Sequence, residues 1–271
     1  MKHQISLMYY SVMALSGQAT PPSFVRLVAH PLRWRLVTEL ARSDLRVREL
    51  VSLVAQPQNL VSYHLRLLRS AALVTARRST FDGRDNYYHL DLDHCAHALA
   101  GTGAALHPAL RMDTAAATLR PGSPPVAVLF ACTGNSARSP IAEALLRRHT
   151  AGQVEVTSAG SRPKPRIHPN AVRVLREEYG IDIAGQHPRH LDTLAGRRLD
   201  YVITLCDKVR EVCPEFGHRP RLAHWSIPDP AAVSGADRTS YPVFQRTAAD
   251  IDARVRYLLP VLASTPEEAQ P

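Results

Sequence analysis

The sequence predicts two domains: a mainly helical N-terminal domain with a β-hairpin, and a C-terminal α/β domain built on a parallel four-stranded sheet. Three observations predict this order. Helical spacing of apolar residues precedes two strand-like segments in the first hundred residues, a stretch rich in Ala, Gly, Thr and Pro follows, and strands then alternate with helices. A chain of 271 residues is long enough to bury two separate hydrophobic cores.

The cysteine and apolar content limits the classes of protein that fit. Cys95, Cys132, Cys206 and Cys213 are too few and too scattered for the disulfide framework of a secreted protein. The chain has no run of eighteen or more apolar residues and so predicts no membrane span. We therefore expect a cytoplasmic protein with reduced thiols, in which residues 1–20 form an N-terminal tail or short helix.

Basic charge is concentrated in the N-terminal half. The net charge is +9, and residues 1–120 hold 14 Lys and Arg against 8 Asp and Glu, while the remainder holds 19 against 16. This surplus of basic residues favours a nucleic-acid partner. However, 30 of the 33 basic residues in the chain are Arg, and a coding bias toward Arg also explains such a composition. The charge therefore needs support from a DNA-binding fold.

The first domain, residues 21–107, has the element order of a winged helix–turn–helix. The predicted elements are helices from Phe24 to Leu40 with a break at Pro31, at 47–54 and at 57–70, and strands at 73–80 and 86–92. Asp82 and Gly83 between the strands are a strong hairpin-turn signal. In this fold the third helix enters the major groove of DNA and the hairpin lies along the backbone.

The segments "HPLRWRLVTELA", "SYHLRLLRSAALV" and "RRSTFDGRDNYYHL" resemble the ArsR family of small winged-helix repressors. The resemblance implies operator DNA as a partner, and a homodimer formed by the region before Pro31 and a helix from about Asp91 to Leu106. The side chains then expected at base edges are Gln58, Asn59, Ser62, Tyr63 and His64, and those expected at phosphates are Arg66, Arg69, Arg77, Arg78 and Arg84.

One departure from that family concerns metalloid binding. Arsenic-sensing members have two cysteines at the start of the second helix, where this chain has Arg46 and Arg48, and guanidinium groups do not bind arsenite. A different ligand set is conceivable in "DLDHCAHAL", which contains Asp91, His94, Cys95 and His97. A single cysteine on a packed helix is more often simply buried, so we assign no metal site.

Residues 108–124 are predicted to be a flexible linker, and residues 125–264 form the second domain, followed by a tail at 265–271. The predicted elements are strands at 126–132, 153–160, 199–206 and 221–227, and helices at 137–149, 169–179, 190–197 and 242–263. Such alternation predicts a parallel sheet whose ligands bind at the carboxyl ends of the strands.

The motif "CTGNSAR" lies at such a strand end, between a buried strand and a helix. Backbone N–H groups of the loop and the positive helix N-terminus make a cradle for a tetrahedral oxyanion. Arg138 is suited to clamp two anion oxygens, the same positive field favours the thiolate of Cys132, and Ser139 is placed to donate to its sulfur. The oxyanion-binding residues predicted are Thr133, Gly134, Asn135, Ser136, Ala137 and Arg138.

This half of the chain resembles low-molecular-weight protein tyrosine phosphatases, and especially the related thioredoxin-coupled arsenate reductases. The resemblance implies that Cys132 attacks arsenate, Asp229 is the general acid, and Cys206 and Cys213 in "TLCDKVREVCP" form a thiol relay to thioredoxin. No resident cofactor is implied, because the electrons come from thioredoxin. The phosphatases usually continue Asp-Pro-Tyr where this chain has Ala231, which also favours arsenate.

The spacing of the two relay cysteines has a conformational consequence. If the segment between Cys206 and Cys213 is helical when reduced, a rise of ~1.5 Å per residue separates their Cα atoms by ~10 Å. A disulfide requires less than ~7 Å. Oxidation must then remodel the segment.

Two further positions separate this chain from its relatives. Ala137 occupies a loop position where family members often have another cysteine, which is not part of the relay. Asn135, Glu143 and Ser158 correspond to a potassium-supported loop site of some reductases, but Arg189 and His190 fall where those proteins supply an acidic ligand. This argues against potassium dependence.

Two alternatives to a reductase fused to a regulator remain open at this point. One is a tyrosine phosphatase attached to the same DNA-binding domain. The other is a non-enzymatic transcription factor whose C-terminal domain senses oxyanions or oxidants through its cysteines.

Overall fold

A computed structural model describes residues 20–81, 83–107, 126–194, 196–213, 216, 219–233 and 237–263. The predicted N-terminal segment 1–20, except its last residue, the predicted linker 108–124 and the predicted tail 265–271 lie outside these residues. Two separate clusters of buried apolar side chains are present, one drawn from residues 28–90 and the other from residues 127–262. The predicted fold class, a winged helix–turn–helix followed by an α/β domain, is confirmed.

The N-terminal domain has the predicted helices and one additional strand. Its elements are α1 (Ser23–Val28), α2 (Pro31–Leu40), β1 (Leu45–Arg46), α3 (Val47–Val54), α4 (Gln58–Ser70), β2 (Val74–Arg78), β3 (Asn86–Leu90) and α5 (Leu92–Leu106). The break predicted at Pro31 occurs because His30 caps α2, its ring accepting the Leu32 N–H at 3.2 Å, and Pro31 takes the first helical position.

The core of this domain comes from one apolar face of each helix. Leu36 of α2, Leu50 of α3 and Leu65 and Leu68 of α4 are almost completely buried. Their spacing within each helix places them on one side, and the opposite sides of α3 and α4 are exposed and mostly polar, with Leu53 and Leu60 also exposed. Helix α4 is therefore packed against the core on one side and exposed on the other.

The antiparallel strands β2 and β3, together with the turn between them, are called the wing below. Gly83 in this turn has φ of +66°, which an L side chain rarely adopts, as the hairpin signal predicted. The two-residue strand β1, which we did not predict, pairs with β3 through Leu45 and Tyr88. Two residues are too few to show a strand periodicity, so only pairing with β3 reveals it.

The C-terminal domain is a four-stranded parallel sheet in the order β5-β4-β6-β7. Its elements are β4 (Ala127–Cys132), α6 (Arg138–His149), β5 (Glu155–Gly160), α7 (Pro169–Tyr179), β6 (Tyr201–Thr204), α8 (Asp207–Val212), β7 (Arg221–His224) and α9 (Asp237–Ala263), with short 3-10 turns at Leu191–Leu194 and Pro230–Ala232. All six residues of the central strand β4 are buried, as expected for a strand covered on both faces.

The closing helix α9 begins five residues before the predicted start at 242. Proline is favoured at the first position of a helix, which is why the sequence pattern suggested a start at Pro242. In the structure Pro242 is the sixth residue of the helix and lies inside it, where a proline lacks the N–H that would bond to the carbonyl four residues earlier. Among the residues that the structure describes, no helix combines the length and apolar character needed to cross a membrane.

The two domains contact each other through a buried polar network around Asp44. The Asp44 carboxylate, 2% exposed, accepts from Arg254 of α9, from the Ser226 N–H and from His89. Its own N–H donates to the carbonyl of His224 at the end of β7, at 2.8 Å. Burial alone would raise the pKa of Asp44, but these charged and polar partners hold it well below its usual range.

Candidate active site

The loop between β4 and α6 surrounds the Cys132 sulfur with polar groups. Cys132 is the last residue of β4 and is 2% exposed, and its sulfur lies 3.0 Å from the Ser139 hydroxyl in the first turn of α6. The predicted contact between these two side chains is present in the structure. The sulfur therefore lies near the N-terminus of α6, on the side of the positive end of the helix dipole.

The carbonyl groups of this loop are bound from outside by the segment 161–168. The carbonyls of Thr133, Gly134 and Ser136 accept from the N–H groups of Arg162, Lys164 and His168 at 2.8, 2.9 and 2.8 Å. Each peptide plane holds its N–H opposite its C=O, so binding the carbonyls on the outer side turns the N–H groups inward. The loop thereby has the form of an anion cradle.

Arg138 extends into the site and has a donor without a protein partner. It is 5% exposed, donates to the Ile227 carbonyl at 2.9 Å and contacts the Asp229 carboxylate at 3.2 Å. Its Nε is buried and has no hydrogen-bond partner. A buried guanidinium N–H without a partner is unfavourable unless a ligand fills the position, and the planar fork suits a tetrahedral oxyanion.

Asn135 holds the loop in shape. Its φ of 42° is the left-handed conformation, so the strained residue is Asn135 and not the neighbouring Gly134. The side-chain amide donates to the hydroxyls of Ser139 and Ser158, at 3.0 and 2.9 Å, and accepts the Arg189 N–H at 2.7 Å. The resemblance placed Asn135, Ser158 and Arg189 around one potassium-supported loop site, but it did not predict these hydrogen bonds, which join distant parts of the chain.

Glycines allow two close approaches around the loop. A Cβ on Gly160, at the end of β5, would lie 2.6 Å from the Thr133 carbonyl oxygen and 2.9 Å from the Asn135 nitrogen. A Cβ on Gly134 would lie 3.2 Å from Lys164 Cγ and Ser136 Oγ. Gly134 therefore serves the tight packing of the loop, whereas Gly160 brings the loop against the sheet.

Cys206 and Cys213 lie at opposite ends of α8. Cys206 follows β6, which neighbours β4 in the sheet, and its sulfur lies 3.2 Å from the Thr133 hydroxyl. Cys213 ends α8 and is half-buried beside a cavity of ≈ 580 Å³, and burial raises the pKa of its thiol to about 11. The segment between the two cysteines is helical, which is the condition under which their Cα atoms are ~10 Å apart.

Asp229 stands at the rim of the site, 45% exposed, and caps the 3-10 turn Pro230–Ala232. The structure therefore brings Cys132, Arg138, Ser139, Asp229 and Cys206 to one end of the sheet. Cys213 lies away from them at the far end of α8. Among the described residues, no cluster of three or more His, Cys, Asp or Glu side chains is arranged to hold a metal ion.

Residues 127–269 match the family described as Low molecular weight phosphotyrosine protein phosphatase, which is more than half of the chain. The chain belongs to the low molecular weight phosphotyrosine protein phosphatase family. Residues 30–76 match the family described as Bacterial regulatory protein, arsR family, which places an ArsR-type helix–turn–helix at the N-terminus. Both predicted resemblances are confirmed.

Relatives of the phosphatase-family half carry the name arsenate reductase. The chain is 35% identical to an arsenate reductase of Halalkalibacterium halodurans over 129 residues, which is 48% of this chain and 91% of the relative. An arsenate reductase of Shouchella clausii is 37% identical over 131 residues, with the same coverage. Among solved structures, an arsenate reductase from Archaeoglobus fulgidus is 29% identical, with a TM-score of 0.41, covering 49% of this chain and 98% of its own.

In the ArsR-type domain, the front of α4 is exposed except at one predicted position. Gln58, Asn59 and Tyr63 are exposed and Ser62 is partly exposed. The prediction that His64 lies on this face is wrong: it is 4% exposed, and its ring lies 4.4 Å from that of His30. His64 is six positions after Gln58 on a helix of 3.6 residues per turn, which directs it toward α2 and the core.

The arginines predicted at phosphates fall into two groups. Arg66, Arg69, Arg78 and Arg84 are exposed. Arg77 instead turns to the C-terminal domain, where it contacts the Asp250 carboxylate at 3.0 Å and the Ser226 carbonyl at 3.2 Å. In this arrangement Arg77 does not face outward with the others, because the partly buried carboxylate of Asp250 in α9 lies within its reach.

The remaining polar positions of the domain also have structural partners. Arg46 pairs with Glu49 and Glu211, and Arg48 with Asp85. Asp91 caps α5 by accepting the His94 N–H, and the His97 ring contacts the Asp93 carbonyl. Burial and the nearby Asp91 raise the pKa of the Cys95 thiol to about 11, which disfavours the thiolate that a metalloid site requires.

Proposed function

We propose that the C-terminal domain reduces arsenate to arsenite through Cys132 and the Cys206–Cys213 thiol pair, and that the N-terminal domain binds operator DNA. The observation that carries the first part is the 3.2 Å contact between the Thr133 hydroxyl and the Cys206 sulfur, which sets a second thiol against the loop of the nucleophile. The names of the relatives support the same activity. A phosphatase needs no second thiol at this position.

The first step is the attack of the Cys132 sulfur on arsenic. Arsenate sits among the loop N–H groups, and Arg138 pairs with its oxygens through the Nε that has no protein partner. An As–S bond forms and one oxygen leaves as water, taking its proton from Asp229, which lies beside Arg138. Arsenic is still pentavalent after this step.

The second and third steps move two electrons. The Cys206 thiolate attacks the Cys132 sulfur, a disulfide forms, the As–S bond breaks, and its electron pair stays on arsenic, which leaves as arsenite. Cys213 then attacks Cys206, which releases Cys132 as a thiol. A dithiol protein of the thioredoxin class reduces the Cys206–Cys213 disulfide, so the net change oxidises that dithiol and reduces As(V) to As(III).

The resting position of Cys213 is consistent with its late role. Its thiol has a pKa of about 11 and lies ~10 Å along α8 from Cys206, so it does not compete for the loaded nucleophile. Only when the helix changes conformation do the two sulfurs meet. The order of the relay then follows from the fold.

Arsenate turnover coupled to thioredoxin, beside hydrolysis of an aryl phosphate by the same preparation, tests this function. Cys132→Ser should abolish arsenate reduction, and Cys213→Ser should yield one arsenite per protein and then stop, while Cys95→Ser serves as the matched cysteine control with normal turnover. Steady-state arsenate reduction by Cys213→Ser would contradict the thiol relay. Steady aryl phosphate hydrolysis that tolerates loss of both Cys206 and Cys213 would favour the phosphatase.

The DNA-binding part of the proposal includes a homodimer through the N-terminal domain. The exposed front of α4 supports base contacts, and the exposed Leu99 and Leu106 of α5 support a dimer surface. Replacing Arg78 should weaken binding to every sequence alike, whereas replacing Gln58 should change base preference by about 1–3 kcal/mol per paired base contact. Titrations of operator and mutated operator duplexes with the full chain measure both effects.

A further inference from the structure

The helix between the two relay cysteines also carries the contact to the DNA-binding domain. From α8, the Asp207 carboxylate accepts the Thr80 N–H at 2.6 Å and the Thr80 hydroxyl at 3.0 Å. Arg210 donates to Glu49 at 2.7 Å and to the Asp44 carbonyl at 3.2 Å, and Glu211 accepts from Arg46 at 2.9 Å. Three of the six residues of α8 thus bind the N-terminal domain.

Asp207 is the buried centre of this contact. It is 1% exposed, and its other oxygen accepts from His224 at 3.1 Å and from the Ser226 hydroxyl at 2.8 Å. Burial would raise its pKa, but the hydrogen bonds from His224, the Thr80 backbone and Ser226 lower it to about 2. The carboxylate is therefore charged at neutral pH, and it binds the wing only while it keeps its position at the start of α8.

A disulfide between Cys206 and Cys213 is incompatible with this helix. Six helical residues lie between the two cysteines, which keeps their Cα atoms ~10 Å apart, beyond the ~7 Å that a disulfide spans. Forming the bond removes two electrons and two protons from the thiols and requires α8 to unwind. The side chains of Arg210 and Glu211 are then no longer held in position to contact Glu49 and Arg46.

Two positions of the wing are held by the C-terminal domain in the reduced protein. Arg77 of β2 is held by Asp250 and the Ser226 carbonyl, and Thr80 in the turn is held by Asp207. A winged helix–turn–helix lays this hairpin along the DNA backbone. An arginine engaged with a protein carboxylate does not neutralise a phosphate.

We propose that the relay has a second function as a redox switch for DNA binding: the Cys206–Cys213 disulfide unwinds α8, undocks the wing and frees Arg77 for DNA phosphates. The proposal rests on the proposed function for its natural oxidant, because arsenate, bound to Cys132, is the two-electron acceptor that generates the disulfide. Each turnover then undocks the wing of the DNA-binding domain, until a dithiol protein reduces the Cys206–Cys213 disulfide. Oxidised protein binds DNA more tightly than reduced protein.

The test uses full-length Cys132→Ser, which retains Cys206 and Cys213 but needs no arsenate chemistry. The disulfide is formed with diamide, a two-electron thiol oxidant, and located by mass spectrometry. DNA binding is measured by fluorescence anisotropy with a random-sequence 30-base-pair duplex over a range of salt concentrations. Hydrogen exchange of the Thr80, Asp44 and Ser226 amides, which donate across the domain contact, reports undocking.

Oxidation should make these three amides exchange rapidly, and the slope of log K against log salt should steepen by about 0.9 for each Arg77 that gains a phosphate. Cys132→Ser/Cys213→Ser, which cannot form the bond, should show neither change with diamide. In Cys132→Ser/Arg77→Ala, oxidation should still undock the wing but leave the salt slope unchanged.

The switch is overturned if the disulfide forms while the amides stay protected and the salt slope is unchanged, or if diamide does not join Cys206 to Cys213. It is also overturned if oxidation weakens DNA binding. Because diamide replaces arsenate in this experiment, failure of the switch and failure of arsenate reduction are separate results.

Discussion

The catalytic loop and the contact between the domains are both buried polar networks, but they differ in the partners of their buried arginines. In the loop, Arg138 keeps a buried N–H without a protein acceptor, and its carboxylate partner Asp229 is 45% exposed. In the contact, Arg254 also has a buried nitrogen without a protein acceptor, but its carboxylate partner Asp44 is buried. In the domain contact, each carboxylate oxygen of Asp44 and of Asp207 accepts two hydrogen bonds from the protein. An open donor is suited to an anionic ligand, whereas a saturated acceptor stabilises the fold.

The largest effect is expected from Asp44→Ala, which removes the acceptor at the centre of the domain contact. Arg254 is 6% exposed and would be left buried without its main charge partner. Breaking a buried ion pair on one side costs about 3–5 kcal/mol in the free energy of unfolding. Urea denaturation followed by circular dichroism measures this loss.

Asp182→Ala is the matched control, because Asp182 pairs with Arg176 on the surface. An exposed pair contributes little, so its loss should leave the urea midpoint where it is. Equal effects of the two substitutions would contradict the structural role given to Asp44.

Arg138→Ala should have a comparable effect on catalysis but not on folding. Losing one charged donor at a reacting oxyanion typically lowers kcat by about 10²–10³-fold. The substitution also loses the bonds to the Ile227 carbonyl and Asp229, but Asp229 is 45% exposed and is not left as a buried unpaired charge, so the unfolding midpoint should change less than in Asp44→Ala. Arg166, exposed on the neighbouring segment, gives the control substitution Arg166→Ala. The comparison fails if Arg138→Ala unfolds readily but, when folded, reduces arsenate normally.

A smaller effect on stability, about 1–3 kcal/mol, is expected from Gly160→Ala. The new Cβ would meet the backbone of Thr133 and Asn135, so the loop itself must move. Arsenate turnover should fall with stability, because the displaced atoms belong to the anion cradle. Gly185→Ala, whose Cβ would meet nothing within 4 Å, should leave both quantities unchanged. Full activity of Gly160→Ala would show that the loop tolerates displacement.

The smallest effect concerns the alkylation of Cys213 in the reduced protein. Burial raises the pKa of this thiol to about 11, so the thiolate is the minor form throughout the range from pH 8 to pH 10. The rate of iodoacetamide labelling, followed on the Cys213 peptide by mass spectrometry, should keep rising about tenfold per pH unit in that range. In urea-unfolded protein the rate should level off near an ordinary thiol pKa of ~8.5. A plateau below pH 9.5 in the folded protein would exclude the buried position.

Much of the catalytic loop was predictable because its parts are adjacent in the chain. Cys132, Arg138 and Ser139 lie within eight residues that join a buried strand to a helix, and local geometry alone brings them together. The contact of Cys206 with the loop followed from strand order, since parallel strands end at the same edge of a sheet. The resemblance to reductases grouped Ser158 and Arg189 with Asn135 around one loop site, but their hydrogen bonds to Asn135 were not predicted, because a polar residue on a neighbouring element carries no local signal.

The N-terminal domain shows the same limit. Helical periodicity predicted α3 and α4 closely, but it did not show that His64 is buried against His30, and two residues of β1 are too short to leave a pattern. The start of α9 was misplaced because Pro242 lies inside the helix, as its sixth residue, and not at its first position. For His64 and β1, the missing information was a neighbour outside the segment.

By itself the sequence determined the two domains, the anion loop and the positions of the proposed nucleophile and of the two proposed relay cysteines, because helix and strand periods and turn residues act over a few neighbours. Only the tertiary structure decided what the polar side chains of the wing and α8 do. Arg77 meets Asp250 across 173 residues of chain, and Asp44 meets Arg254 across 210. A charged side chain binds the nearest unsatisfied group of opposite sign, and packing of the two cores decides which group that is.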